Sequence, residues 1–144
     1  MKGRILAIDY GAKRMGLAVS DLLGITAQGL ETMQRRNKRA DFAYLRRVIR
    51  ENNVQEIVLG LPLKMSGELG EQAERAARFG EELRQEFDLP VHLWDERLTS
   101  AEANRVLREA ELSTRKRAKA VDRMAAVLIL QSFLQAHDRS IPEL

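Results

Sequence analysis

The sequence predicts an α/β protein of three layers, in which a mixed five-stranded sheet lies between helices on both of its faces. Two observations favour this class. Short apolar runs of strand length recur along the chain, and apolar residues elsewhere recur at alternating three- and four-residue spacing. Their order is β-β-β-α-β-α-β-α-α, so the first three strands form an antiparallel meander and the later strands alternate with helices.

The predicted strands are short and mostly apolar, and turn-forming residues bound them. They occupy residues 4–9, 15–20, 25–33, 54–61 and 91–95. The first of them, RILAID, has the pattern of a buried strand that closes on a carboxylate, Asp9.

The predicted helices occupy residues 41–52, 68–87, 99–110 and 118–136. The first is amphipathic, because Arg46, Arg47 and Arg50 lie opposite its apolar residues. Thr99 and Glu102 match a capping box, in which two side chains satisfy backbone amides at the start of the third helix. The last helix is apolar over most of its circumference and is expected to pack on the sheet.

The composition is that of an ordinary folded domain. Of the 144 residues, 44% are hydrophobic and 31% are charged, which predicts a single domain over residues 1–144. Cysteine is absent, so disulfides, thiolate metal sites and cysteine nucleophiles are excluded. No apolar stretch approaches the roughly 20 residues of a membrane span, and Asp9 comes too early for a signal peptide. We therefore expect a cytoplasmic protein.

The charge is unevenly distributed along the chain. The net charge is only +3, yet residues 1–60 carry 11 basic and 6 acidic groups, residues 61–112 carry 7 and 12, and residues 113–144 carry 6 and 3. The modest total excludes a highly charged nucleic-acid coat. A folded chain with this segmental pattern can still present a local basic surface.

Carboxylates follow two of the predicted strands. Asp9 ends the first strand, and Glu96 follows the last strand, VHLWD. In open α/β sheets ligands bind at the carboxyl ends of the strands, and divalent cations that act on phosphate need several carboxylates at one point. The alternatives are a simple turn residue for Asp9 and a favourable interaction with a helix dipole for Glu96.

A third carboxylate, Asp122, lies on the last predicted helix. It shares a face with small and apolar residues, namely Ala125, Ala126, Ile129 and Phe133. A carboxylate on such a face costs several kcal/mol unless it is paired or bound to metal. Asp122 is therefore either a metal ligand that meets Asp9 and Glu96 at one end of the sheet, or half of an ion pair with Lys119 or Arg123.

Basic residues lie close in sequence to these carboxylates. Lys13 and Arg14 occupy the turn after the first strand, where they either bind a phosphate or remain ordinary solvated charges. Arg97 can pair with a phosphate or with Asp95. The cluster at the start of the last helix can follow a nucleic-acid backbone or form a solvated surface. Its members are Arg115, Lys116, Arg117 and Lys119.

Four sequence blocks resemble those of a known family. They are DYGAKRMGLAVSD at residues 9–21, GLPLKMSG at 60–67, DERLTS at 95–100 and KAVDRMAA at 119–126. In this order and spacing they are similar to the YqgF/RuvX family of the ribonuclease H-like nuclease superfamily. The blocks span nearly the whole chain.

The resemblance implies a ribonuclease H-like nuclease that hydrolyses phosphodiester bonds, with Asp9, Glu96 and Asp122 as catalytic residues that hold Mg²⁺ or Mn²⁺. The family is associated with maturation of the 16S ribosomal RNA precursor and was earlier proposed to resolve Holliday junctions. Many superfamily members carry another acid three residues after the helical one, where this chain has Ala125. The number of metal ions, one or two, therefore remains open. The substrate-binding candidates beside such a site are Lys13, Arg14, Arg97, Lys116 and Lys119.

Two other functions compete with cleavage. The first sequence block also resembles the phosphate loop of actin-like ATPases, but those proteins duplicate this domain and 144 residues hold one copy. The second is a nucleic-acid-binding or ribosome-associated factor that no longer cleaves, against which the three acids argue. The sequence leaves open whether the partner is precursor rRNA or branched DNA, and whether the chain is a monomer or a homodimer.

Overall fold

The computed structural model describes residues 3–62, 66–98 and 115–137, with the backbone alone at Leu98 and at residues 115–118. These residues form six strands, three α-helices and one 3-10 turn. In chain order they are β1 Arg4–Asp9, β2 Arg14–Ser20, β3 Ala27–Gly29, β4 Met33–Gln34, α1 Lys38–Glu51, β5 Val54–Leu61, α2 Glu71–Phe87, β6 Val91–Asp95, the 3-10 turn Glu96–Leu98 and α3 Arg115–Ala136. None of the helices in this part of the chain has the length and apolarity needed to cross a membrane.

One mixed sheet runs through the middle of the described chain. Its strand order is β3-β2-β1-β5-β6, and β4 also pairs with β2. β1 and β2 are antiparallel, whereas β1, β5 and β6 run parallel to one another. The predicted α/β class and the antiparallel start of the sheet are therefore confirmed.

The predicted count of five strands is wrong, because the segment predicted as one strand over residues 25–33 forms two. β3 and β4 both pair with β2, and residues 30–32 separate them. In this interval the Thr32 hydroxyl donates a 2.6 Å hydrogen bond to the Lys119 carbonyl on α3. That bond ties the chain to the helix where a continuous strand would have stayed in the ladder.

The helices lie on both faces of the sheet, as predicted. α1 and α2 cover one face, where the buried side chains include Leu6 and Ile8 of β1 and Leu83 of α2. α3 covers the other face, where Ile5 and Ala7 of β1 are buried. Successive side chains of β1 thus alternate between the two layers.

The helix starts differ from the sequence prediction by three residues. α1 begins three residues early, because the Asn37 side chain accepts a 2.9 Å hydrogen bond from the Ala40 amide and caps the helix. α2 begins three residues late, and α3 begins three residues early. The helix predicted over residues 99–110, with its capping box at Thr99 and Glu102, lies outside the described residues.

Candidate active site

Asp9 lies at the carboxyl end of β1, where only 9% of it is exposed. Its backbone is paired with Gly16 on β2, and continuation of the β1–β5 ladder places Gly60 on its other side. By alternation along β1, Asp9 lies on the same face as Ala7, the face that α3 covers. The end of β1 therefore presents a carboxylate between two glycines on the α3 side of the sheet.

Gly16 lets α3 approach this end of the sheet closely. A Cβ atom at Gly16 would lie only 1.9 Å from the Asp122 carbonyl oxygen and 3.4 Å from the Arg123 nitrogen. Any other residue would push the helix backbone away from β2. The glycine thus brings Asp122 over the strand next to Asp9, although most of the chain separates the two residues in sequence.

Gly60 provides the corresponding space on the other side of Asp9. A Cβ atom at Gly60 would lie 2.6 Å from Glu96 Oε1 and 2.6 Å from Cδ1 of Ile129 on α3. The Glu96 side chain, which starts from the 3-10 turn after β6, therefore lies over β5 on the α3 side.

All three predicted carboxylates, Asp9, Glu96 and Asp122, line one cavity of about 570 Å³. Other parts of its wall come from the β1–β2 turn, the connector before α1 and the first turns of α2. The basic and amide side chains among them include Lys13, Arg14, Arg36, Lys38, Gln72 and Arg75. The fold thus brings together acidic residues from three distant segments and lines the same cavity with basic residues, which form its basic wall.

Arg14 is an ion-pair partner of Asp122. Its Nε donates to Asp122 Oδ2 at 2.7 Å, and 29% and 20% of the two side chains are exposed. The sequence suggested Lys119 or Arg123 for this role, but the Arg123 guanidinium donates to the Leu30 carbonyl at 2.9 Å. Arg14, predicted to bind phosphate, therefore lies at the cavity and holds a carboxylate that is predicted to bind metal.

The carboxylates share the cavity without forming a closed ligand cluster. Within the ranges that the structure describes, no three aspartate, glutamate or histidine side chains are arranged so that they could hold one metal ion together. Neighbouring carboxylates repel one another, and the Arg14 guanidinium offsets that repulsion at Asp122. A cation held by all three carboxylates requires their side chains to move closer together.

Arg97 pairs with Asp95, one of the two partners that the sequence left open. Its Nε lies 3.0 Å from both Asp95 carboxylate oxygens, and its Nη2 lies 2.7 Å from Oδ2. The hydrogen bond from the Arg97 side chain lowers the pKa of Asp95 below its ordinary value. Arg97 is not among the described residues that line the cavity, so its contact with substrate stays a prediction.

The predicted substrate-binding lysines lie in different places. Lys13 is exposed and lines the cavity that holds the carboxylates. Lys119 lines a second, neighbouring cavity. The side chain of Lys116 lies outside the described residues. Of the two lysines whose side chains are described, Lys13 is therefore the one next to the carboxylates.

The connector between β4 and α1 contributes residues that the sequence did not assign to the site. Arg36, Asn37 and Lys38 line the cavity. They lie there because β4 pairs with β2, with Gln34 opposite Arg14. The basic run itself is evident in the sequence, but the two-residue strand that positions it is not.

Arg35 fixes this connector to the β1–β2 turn. Its Nη1 donates to the Gly11 carbonyl at 2.9 Å, and its backbone amide donates to the Lys13 carbonyl at 2.9 Å. Its guanidinium carbon lies 4.9 Å from the Tyr10 ring centroid, and its Nε lies 3.4 Å from Asp41 Oδ2. The basic wall is thereby held at a defined position relative to the end of β1.

The match to a family model decides which proteins this chain belongs with. The model described as "RuvX: Holliday junction resolvase" matches residues 3–136. The chain belongs to the RuvX family. The family resemblance seen in the sequence is therefore confirmed, and with it the class of enzyme, a nuclease that hydrolyses phosphodiester bonds.

RuvX relatives are similar to this chain over nearly their whole length. A protein of Koribacter versatilis (strain Ellin345), provisionally named a pre-16S rRNA nuclease, is 61% identical over 142 residues, which covers 97% of this chain and 93% of the relative. A protein of Moorella thermoacetica with the same provisional name is 51% identical over 131 residues, which covers 91% of this chain and 94% of the relative.

Solved structures confirm the ribonuclease H-like fold of this RuvX chain. RuvC of Thermus thermophilus in complex with a Holliday junction substrate matches with a TM-score of 0.54 and 16% identity, covering 95% of this chain and 97% of RuvC. A second structure of the same RuvC matches with a TM-score of 0.54 and 14% identity, covering 93% and 96%. At this level of identity the likeness concerns the fold alone.

Proposed function

We propose that this chain is a metal-dependent nuclease that cleaves the precursor of 16S ribosomal RNA during 5′-end maturation in the cytoplasm. The observation that carries the proposal is the single cavity that is lined both by Asp9, Glu96 and Asp122 and by cationic side chains. The proposal treats residues 1–144 as one nuclease domain.

The donor set fits a divalent cation. Carboxylate oxygens are the ligands that Mg²⁺ and Mn²⁺ prefer, and Asp9, Glu96 and Asp122 provide up to six of them around one cavity. Gly16 and Gly60 keep the space beside Asp9 open to the backbone of Asp122 and the side chain of Glu96. These three residues would hold the cation, which supplies charge neutralisation at the scissile phosphate and a lower pKa for the attacking water.

The remaining side chains of the cavity bind and orient the substrate. Lys13 is exposed at the cavity wall and provides a cation for a phosphate oxygen next to the carboxylates. Arg14 holds Asp122 at the cavity wall, where its guanidinium would also be available to donate to a phosphate oxygen. Arg35 keeps the β1–β2 turn, and hence Lys13, in place through the Gly11 and Lys13 carbonyls.

We favour ribosomal precursor RNA as the substrate because of the names that the relatives carry. The proteins at 61% and 51% identity both carry the name of a pre-16S rRNA nuclease, whereas the RuvC structures match at 16% identity or less. A second candidate substrate is a four-way DNA junction, since the family model is described as a Holliday junction resolvase.

The test is cleavage of both substrates by the purified chain with Mg²⁺ and with Mn²⁺. We expect cleavage of a precursor rRNA fragment and at least about a 1,000-fold loss in Asp9→Asn, because a metal site contributes several kcal/mol to the transition state. The Asp21→Asn variant is the matched control, since Asp21 lies on the β2–β3 turn and an amide oxygen can still accept from the Ile25 amide there.

Three results would count against parts of the proposal. Undiminished cleavage by Asp9→Asn would exclude Asp9 from catalysis. Cleavage of the junction with no cleavage of the RNA would replace the substrate. Binding of both substrates without cleavage at any metal concentration would indicate a binding factor. Thermal unfolding and RNA binding of Asp9→Asn must remain near those of the wild type for the first result to be interpreted.

A further inference from the structure

A second cavity adjoins the one that holds the carboxylates. It has a volume of about 410 Å³ and shares Gln34, Arg36 and Asp41 with the first cavity. The side chains found only in the second cavity come from β4, α1, α3 and the residues before β4. They include Glu31, Thr32, Tyr44, Arg47 and Lys119. The two cavities are therefore neighbours along the connector between β4 and α1.

We propose that this second cavity binds the sugar-phosphate backbone of the same nucleic-acid strand, at nucleotides next to the segment held at the carboxylates. The inference rests on the proposed nuclease function and adds a binding subsite to it. The chemistry it would recognise is the phosphodiester, so an RNA strand and a DNA strand are both candidate ligands.

The balance of charge in the second cavity favours an anion. Arg36, Arg47 and Lys119 contribute three cations. Of the two acids, Asp41 is only 4% exposed and already accepts from the Arg36 amide at 3.0 Å and from Arg35 Nε at 3.4 Å. The Asp41 charge is therefore offset by its contacts with the connector. This leaves the three cations of the second cavity with one exposed carboxylate, Glu31.

Two of the three basic residues have contacts that fix the guanidinium in one case and the backbone in the other. The Arg47 guanidinium carbon lies 5.0 Å from the centroid of the Tyr44 ring. A guanidinium stacked on an aromatic face keeps its N–H groups directed outward, where they can donate to a phosphate. The backbone of Lys119 is fixed by the 2.6 Å hydrogen bond from Thr32, whose residue is only 5% exposed.

Arg36 connects the two cavities. Its side chain is exposed and lines both of them, while its backbone is tied to Asp41 on α1. A strand that occupies the carboxylate cavity and continues past Arg36 enters the second cavity without leaving the cationic surface. This arrangement also accounts for Lys119, which the sequence predicted to bind substrate and which lines the second cavity but not the first.

The experiment measures binding in the Asp9→Asn background, so that cleavage does not interfere. The double variant Arg36→Gln/Arg47→Gln is compared with Arg39→Gln/Arg50→Gln, which removes two exposed cations of α1 that line neither described cavity. The probes are labelled single-stranded RNA and DNA of about 12 nucleotides, a length within the range that single-strand sites cover, and a dinucleotide as the short control.

We expect the Arg36/Arg47 pair to weaken binding of the 12-nucleotide strand by about tenfold or more at low salt. The slope of log K against log salt should fall in magnitude by about 1.4, because each phosphate contact to a single strand contributes about 0.7. The dinucleotide should lose less affinity than the longer strand, because Arg36 lines both cavities whereas Arg47 lines only the second. The control pair should change the slope much less. RNA affected more than DNA, or the reverse, identifies the source of the phosphodiester.

Two outcomes would overturn the inference. In one, the Arg36/Arg47 pair behaves as the control pair does. In the other, it weakens the dinucleotide and the longer strand equally, which would assign these cations to the first cavity or to the general charge of the protein. Cleavage by the wild type is scored separately, so a failure of the nuclease proposal is distinguishable from a failure of this one. Circular dichroism verifies that each variant is folded.

Discussion

The two faces of the central sheet are built differently at the carboxyl end of β1. Towards α1 and α2 the row of β1 side chains ends in Ile8, which is fully buried. Towards α3 the same strand ends in Asp9, after Ala7. Ile8 and Asp9 are consecutive residues whose side chains lie on opposite faces of the sheet. A shift of the strand register by one residue would therefore place a carboxylate in the core and a core side chain at the site.

The neighbouring strands reinforce this difference. On the α1–α2 face, β5 contributes the fully buried Leu59, whereas on the α3 face its next residue is Gly60. Together with Gly16 on β2, this glycine removes side-chain volume around Asp9, and the Asp122 backbone and the Glu96 side chain take the space. One face is thus packed for stability up to its end, and the other exchanges apolar packing for a polar site.

The largest effect on stability is expected on the packed face. Leu83 of α2 is fully buried in the cluster beneath α1 and α2. Leu83→Ala removes apolar contacts and leaves a cavity, so the free energy of unfolding should fall by about 3 kcal/mol. Urea denaturation measures this change, and the fraction still folded should cleave at a nearly normal rate. Loss of cleavage in a folded Leu83→Ala protein would contradict the view that the α1–α2 face contributes to stability and not to the site.

The next largest effect is expected at Gly16, where the clash is with backbone. Its added Cβ would lie 1.9 Å from the Asp122 carbonyl oxygen, so α3 must move by about an ångström. Overpacking of this kind costs about 1–3 kcal/mol, and Gly16→Ala should lie near the upper limit and lose cleavage as well.

Gly80→Ala on the opposite face is the matched control for Gly16. Its Cβ would lie 3.1 Å from Leu93 Cδ2 and 3.2 Å from Leu59 Cδ2, both ends of flexible side chains. Alanine also favours the helix by about 1 kcal/mol, so stability should stay within about 1 kcal/mol of the wild type. Equal losses in the two variants would show that the α3 side is not the more closely packed of the two at these points.

Much of the fold is predictable from local patterns, while the division of the third strand is not. Strands such as 54–61 and 91–95 are short, mostly apolar runs bounded by turn-forming residues, so each can be recognised from its own residues. The break between β3 and β4 depends on Thr32 meeting the Lys119 carbonyl on α3. A contact across 87 residues leaves no periodic signal in the sequence.

The acidic residues of the candidate site are predictable for a similar reason, and so are Lys13 and Arg14 beside Asp9. The contribution of the connector before α1 is not. Asp9 ends β1 and Glu96 follows β6, and the carboxyl ends of parallel strands meet at one edge of a sheet. The role of Arg36 depends on the pairing of β4 with β2, a strand of only two residues. The partner of Asp122 escaped prediction too, because Arg14 lies 108 residues away in sequence.

A smaller effect on stability is expected at Gly60. The Cβ of Gly60→Ala would meet Glu96 Oε1 and Ile129 Cδ1 at 2.6 Å, and both are ends of side chains that can rotate away. The free energy of unfolding should fall by about 1 kcal/mol, whereas cleavage should fall by more than about tenfold, because Glu96 is displaced. Urea denaturation and a cleavage assay are made on the same sample. A loss of stability without a loss of cleavage would remove Glu96 from the site.

The Arg14→Gln variant tests whether Arg14 positions Asp122 as a metal ligand or competes with the metal ion for it. The ion pair with Asp122 is partly exposed, so its loss should cost less than about 1 kcal/mol of stability. Without the guanidinium, Asp122 should bind Mn²⁺ up to about fivefold more tightly, because a competitor of about 1 kcal/mol is gone. Isothermal titration with Mn²⁺ measures the affinity. Weaker Mn²⁺ binding in Arg14→Gln would show that Arg14 positions the ligand and does not compete for it.

The smallest effect on stability is expected at Asp95, an acid at the same end of the sheet that pairs with Arg97 and does not line the carboxylate cavity. The side-chain hydrogen bond from Arg97 lowers the pKa of Asp95, so the folded chain binds this proton less readily than the unfolded chain does. The resulting stabilisation is complete above the ordinary pKa of an aspartate, about 3.9, and is lost as the pH falls through the lower folded value. Asp95→Asn keeps an acceptor for the Arg97 amide but not this dependence on pH. Urea midpoints of the two proteins should therefore differ slightly at pH 6 and converge as the pH is lowered towards about 3, and a constant difference would show that the ion pair contributes nothing to folding.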